Sequence, residues 1–243
     1  MITSEFVQAS TNGPVTTLTL ARASEGNRLT NTMALALVTA LDAAADSRVI
    51  VLRADGSDFC LGRDMQPPPP GSAVTALDVM RDDAAPILAL YDAFRRRPQP
   101  VLSVVQGRAW GIGMVLAAVA DLTIAASDST YRLRELERGI PPCVAMAPLI
   151  DRMPVKALAH LVLSADEMDA ATALATGVVS RVLPAANAAS LQAEADTLVQ
   201  RLLSFPAPAV RAVKHYLATA PRNHEANAAH HGASLLANVL ASR

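Results

Sequence analysis

The sequence predicts an α/β fold, from three features. Strand-like and helix-like segments alternate from Val15 to Ala125. Val49-Ile50-Val51-Leu52 is short and wholly apolar, as a strand covered on both faces must be. Past Pro142 the chain turns almost purely helical and rich in Ala and Leu. The alternation argues for strands covered by crossing helices, either a doubly wound sheet or a repeated ββα spiral.

Taken in order, Val15 to Leu20 is rich in Val, Thr and Leu behind Asn12-Gly13-Pro14, which reads as a strand after a turn. Asn31 to Ala45 carries Met33, Leu35, Leu37, Val38 and Leu41 at helical spacing. Val49 to Leu52 is the next strand, then a helix about Ala84 to Arg96 and a strand at Val101 to Val105. A further helix starts at Gly113, and Leu122 to Ala125 is a strand. Short helices follow at Val144 to Arg152 and Val155 to Leu163, parted by Pro154. Asp166 to Ala175 reads as a helix stopped by Gly177, and Val178 to Leu183 as a brief strand. Helices then fill Ala186 to Leu203, Ala207 to Ala218 and Glu225 to Ala241. Residues 1–190 are thus expected to form the core and residues 191–243 a C-terminal helical region.

Composition narrows the function. The 243 residues suffice for one large domain, and 51% of them are hydrophobic. A formal charge of −1 gives no electrostatic case for nucleic acid or an anionic membrane. The longest apolar runs are broken well short of a membrane span, and no basic-then-apolar leader opens the chain. A cytoplasmic protein is the default expectation. Cys60 and Cys143 are the only cysteines, with no metal spacing, and His160, His215, His224, His230 and His231 add none.

The chemistry centres on two turns. Gly111 and Gly113 run straight into an apolar helix whose first N–H groups have no partner inside it. Phe59-Cys60-Leu61-Gly62-Arg63-Asp64-Met65 offers a second turn after the Val49 to Leu52 strand. Two backbone turns, each able to aim an N–H at one spot, are the minimum for an oxyanion hole.

At these residues the sequence resembles the crotonase family, the enoyl-CoA hydratases and isomerases. Phe59 to Met65 matches the family's F-(C/S)-A-G-x-D-(L/I) turn, and Gly107 to Gly113 its G-x-A-x-G-G-G turn. Leu116 to Asp121 matches L-A-x-x-x-D, and Arg134 to Pro142 matches p-E-x-x-x-G-(L/I)-x-P. The resemblance covers roughly residues 14 to 220. It implies a ββα spiral core, a homotrimer or dimer of trimers built by the helical region, and an acyl-CoA thioester as substrate. Coenzyme A is part of that substrate, so no separate cofactor or metal is expected.

The resemblance also implies roles. Glu135 falls on the family's acid–base glutamate, and the N–H groups of Arg63 and Ile112 on its two oxyanion donors. Asn27, Arg28, Cys60, Leu61, Gly62, Asp64, Gly111, Gly113, Val115 and Pro142 fall on positions that bind or shape the substrate. Asn27 is expected to cap the helix that follows, and Arg28 to meet a phosphate. Asp64 and Asp121 are read as turn-holding residues, and Arg95-Arg96-Arg97 as a solvated helix end. Glu137 reads as a solvated charge among arginines.

Departures from the family decide the reaction. Hydratases place a second glutamate where this chain has Val115, and loss of a general acid–base group costs about 10²–10⁴-fold in rate. Water addition is therefore not expected. Double-bond isomerisation needs only one carboxylate, so Glu135 suffices for it. The alternatives are an acyl-CoA-binding protein without catalysis, or another family reaction such as thioester hydrolysis. Ile112 stands where the family has glycine, and a β-branched residue tolerates only negative φ comfortably. Cys143 is expected to be a buried structural cysteine. The Gln66 to Ala73 stretch, with four successive prolines, reads either as a plain surface loop or as a flap beside the acyl pocket.

Overall fold

The computed structural model describes residues 5–65, 75–184 and 187–219. The Gln66 to Ala73 loop and the helix expected at Glu225 to Ala241 lie outside them. The chain opens with β1 (Val7–Asn12) and β2 (Val15–Leu20), an antiparallel pair, followed by α1 (Asn31–Ala43) and β3 (Val49–Ala54). Then come α2 (Ala76–Asp78), a π-helical stretch Val79–Ala84, α3 (Ala85–Arg96), β4 (Val101–Val105) and β5 (Arg108–Trp110). Next are α4 (Ile112–Val119), β6 (Leu122–Ala126), β7 (Thr130–Arg132) and a 3₁₀ turn Glu135–Arg138. The rest is α5 (Cys143–Leu149), α6 (Val155–Ser164), β8 (Met168–Asp169), α7 (Ala170–Ala175), β9 (Arg181–Leu183), α8 (Ala188–Ser204) and α9 (Ala207–Thr219).

Two sheets result. One runs β1-β2-β3-β4-β6-β9, parallel from β2 onward; the other is β5-β7-β8. β4 and β6 join the large sheet, whereas their successors β5 and β7 join the small one. That alternation is a ββα spiral, not a doubly wound sheet.

The central strands of the large sheet, β3, β4 and β6, are buried on both faces. Ile50, Leu52, Val101, Val105 and Ala125 look into the main core with α1, α3 and α4. Val49, Val51, Leu102, Val104 and Ile124 look the other way, against Leu191, Ala195 and Val199 of α8. Period-two alternation thus feeds two apolar layers at once. Every residue of α4 is buried, so this helix runs through the centre of the molecule.

Several expectations need correction. β1 was not foreseen because only Val7 of its residues is buried, so an edge strand of polar residues gives no alternation. The helix expected over Asp166 to Ala175 begins only at Ala170. Met168 and Asp169 pair with β7, and the Asp169 side chain caps α7 by accepting from Thr172 N–H at 2.8 Å. Val178 and Val179 turn back onto Ala173, so β9 starts at Arg181. The helix expected from Ala84 starts earlier, at Ala76, and passes through the π-helical stretch. Pro86 brings no N–H to the ladder there. The carbonyls of Asp82 and Asp83 accept from side chains, Asn31 Nδ2 at 2.6 Å and Arg63 Nη1 at 2.9 Å. The bulge therefore ties α3 to the turn that carries Arg63.

Candidate active site

Parallel pairing of β5 and β7, with Trp110 beside Arg132, sends the chain beyond both strands to the same edge. Gly111 lies just past β5, and Glu135 three residues past β7. The Cys60 turn joins from the other side: Cys60 N–H donates to Arg108 C=O at 3.1 Å, and Trp110 N–H to Cys60 C=O at 2.9 Å. A Cβ on Gly111 would come within 3.3 Å of both Gly62 Cα and Glu135 Oε1. Gly111 has φ +53°, which its lack of a side chain permits. Both turns and the candidate carboxyl therefore meet at one glycine.

The donors left over are those that matter. Leu29 N–H donates to Gly62 C=O and accepts, through its own C=O, from Asp64 N–H. Arg63 lies between those two bonding groups, so its own N–H faces away from Leu29. Ile112 is the first residue of α4, where N–H groups lack an intrahelical acceptor. Among the described residues neither Arg63 N–H nor Ile112 N–H meets an acceptor. Ile112 keeps a negative φ, and the left-handed conformation falls on Gly111 instead.

A cavity of about 350 Å³ opens at this point. Glu135, Arg63 and Ile112 line it, as do Arg28, Leu61, Gly62, Gly111 and Pro142. Glu135 Oε2 is buried without a hydrogen-bond partner among the described residues. Burial pushes the Glu135 carboxyl above its ordinary value of 4.5, with its own backbone N–H and then Arg138 opposing. Glu137 differs sharply: it is held by Arg132 and by Arg134 Nε at 2.9 Å, and those bonds lower it.

The other expected site residues build the walls without lining the cavity. Asn27 is wholly buried and does not cap α1; Thr30 does, accepting from Met33 N–H at 3.1 Å. Asn27 Oδ1 accepts from Arg22 N–H, while Nδ2 donates to the Asp55 and Asp58 carbonyls at 2.8 Å. Asp64 pairs with Arg22 Nη1 at 2.6 Å. Cys60 is buried, its thiol pushed up to about 11 by desolvation. Gly113 packs on it so closely that a Cβ would strike the Cys60 carbonyl. Val115 is wholly buried in the core and leaves no surface to the cavity. Cys143 is exposed, not buried, because α5 turns it outward at its first residue.

Sequence reasoning missed Tyr91, Asp83 and the side chain of Trp110, all of which line the cavity. Trp110 sits between the guanidiniums of Arg108 and Arg134, 5.3 and 5.6 Å from its ring centre. Its position inside the second turn was the available signal. Tyr91 and Asp83 gave none, since a helical period does not say which end of a helix meets a site.

The Enoyl-CoA hydratase/isomerase family matches residues 10–243. The chain belongs to that family. Within it, the chain is 29% identical to a protein of Mycobacterium tuberculosis named probable enoyl-CoA hydratase, over 191 residues covering 74% of this chain and 72% of the relative. It is 33% identical to an indene-carboxyl-CoA hydrolase of the same organism, covering 60% and 57%. A Thermobifida fusca protein assigned as an enoyl-CoA hydratase, solved in complex with acetoacetyl-CoA, superposes with a TM-score of 0.84 at 28% identity, covering 98% and 96%. The crotonase fold and an acyl-CoA chemistry follow for this enoyl-CoA hydratase/isomerase family member. Among the described residues no helix is long and apolar enough to cross a membrane, and no cluster of potential metal ligands occurs.

Proposed function

We propose that the protein isomerises the double bond of an enoyl-CoA, with Glu135 as its one acid–base group. The observation that carries this reading is the buried, partnerless Glu135 oxygen beside two unspent backbone donors. Arg63 and Ile112 N–H groups would hold the thioester oxygen as it gains charge, which favours enolate formation. Glu135, raised by desolvation, removes a proton from one carbon and returns it to another on the same face. Arg28, which lines the cavity, would meet a CoA phosphate, as a guanidinium does well.

The test is solvent-deuterium exchange into an enoyl-CoA, wild type beside Glu135→Gln. Exchange and isomerisation should fall about 10²–10⁴-fold in the variant, with acyl-CoA binding retained. Exchange that survives would remove Glu135 as the base.

Water addition is the second reading, favoured by one observation: Asp83 also lines the cavity, with its side chain 38% exposed. Asp83 faces Arg63 Nη2 at 4.0 Å. It would supply the second carboxylate that Val115 does not. Formation of a 3-hydroxyacyl-CoA by wild type, lost in Asp83→Asn, would favour this reading over isomerisation.

The assembly proposed is a homotrimer or a dimer of trimers. Val155 and Leu163 of α6 are 70% and 78% exposed, and Val213 and Leu217 of α9 are 60% and 61% exposed. The assembly would cover these side chains.

A further inference from the structure

The acyl cavity does not simply end; it is interrupted. Helix α3 packs against α1, and α5 against α4, leaving a seam between α3 and α5. Two cavities lie one after the other along that seam, of about 350 and about 340 Å³. The first meets Ile87 of α3 and Ala145 of α5; the second meets Leu88 and Asp92 of α3 and Ala147 and Pro148 of α5. Both helices thus advance in step from one cavity to the next. Tyr91 alone lines both, among the described residues.

We propose that the Tyr91 ring is the end wall of the acyl subsite, limiting it to short acyl chains, and that the second cavity is its latent extension. The assignment rests on the acyl-CoA reading above. Tyr91 shares the first cavity with Arg63 and Glu135, the residues assigned to the reacting end. An acyl chain whose first carbons lie beside Glu135 therefore reaches the ring within a few bonds. The residue works through bulk: beyond it Leu88, Phe94, Val119 and Pro148 offer apolar surface along one side of a cavity that Asp121, Lys214 and four other charged residues also line.

The experiment is calorimetric binding of saturated acyl-CoAs, from butyryl-CoA through hexanoyl-, octanoyl- and decanoyl-CoA. They cannot be isomerised, so binding is read apart from turnover. In the wild type, Kd should fall by up to about fourfold per added methylene, then stop falling where the chain meets Tyr91. Tyr91→Ala should move that break to longer chains, and Tyr91→Trp to shorter ones. Tyr91→Phe should keep the wild-type break, since the ring remains. If Tyr91→Ala does not fold, Tyr91→Leu serves the same comparison. A wild type without a break, or variants that all break at one length, overturns the assignment while leaving the acyl-CoA reading standing. Failure of both butyryl-CoA and free coenzyme A to bind the wild type overturns the acyl-CoA reading and this assignment together.

Discussion

Glu135, the proposed acid–base residue, weakens the fold that holds it. Burial raises its carboxyl above 4.5, so between that value and the raised one the folded state holds more protons than the unfolded state. Stability accordingly falls as pH climbs through that window. Glu135→Gln, which does not titrate, should melt at higher temperature than wild type near neutrality. Its advantage should vanish below the ordinary glutamate value; thermal melts across pH would show it, and equal melting at neutral pH would refute it. Gly111 is the second residue to probe. Gly111→Ala must accept φ +53° and press on Gly62 and Glu135; circular-dichroism melts should show a loss of about 1–3 kcal/mol, with exchange activity falling further. The motif separates Glu135 from Glu137, because only one falls at the family's spacing from the glycine. Exposure was not legible: Cys143 reads as apolar, yet it starts a helix that faces outward. Tyr91 was hidden for the related reason that its neighbours in the cavity come from distant sequence.

Helices and strands were legible where burial imposes a pattern. The apolar β3 and β4 stand out, whereas β5, β7 and β8 are too short to show a period, and β1 is too polar. Asp121 reads as a turn-holding residue, yet its side-chain partners lie 20 and 93 positions away. It accepts from Val101 N–H and from Lys214 Nζ, each at 2.7 Å, and so ties β4 and α9 together. Lys214 also donates to Gln99 C=O and is 6% exposed, so its charge sits mostly out of water. Removing one partner of such a pair strands the other charge. Asp121→Ala should therefore lose about 3–5 kcal/mol in denaturant unfolding. The double change with Lys214→Met should recover part of it; a loss below 1 kcal/mol would mean that water already reaches the pair.

At the scale of the whole molecule the ββα order was visible from the resemblance, and from periodicity only as an alternation of strands and helices. What distinguishes a spiral from a doubly wound sheet is which strands pair, a property of contacts between remote segments. The proposed trimer or hexamer should appear in sedimentation velocity; a monomer at every concentration would overturn the assembly. Two-sided burial of the large sheet has a further consequence, in time and not in space. A ribosome makes this chain from its N-terminus, and domains tend to fold in that order. Val49, Val51, Leu102, Val104 and Ile124 are therefore synthesised long before Leu191, Ala195 and Val199, which cover them. Through that interval the nascent sheet carries a bare apolar face, and β6 lacks its neighbour β9. Translation arrested ahead of α8 should release chains that bind chaperones or clump, where those arrested after it stay dispersed.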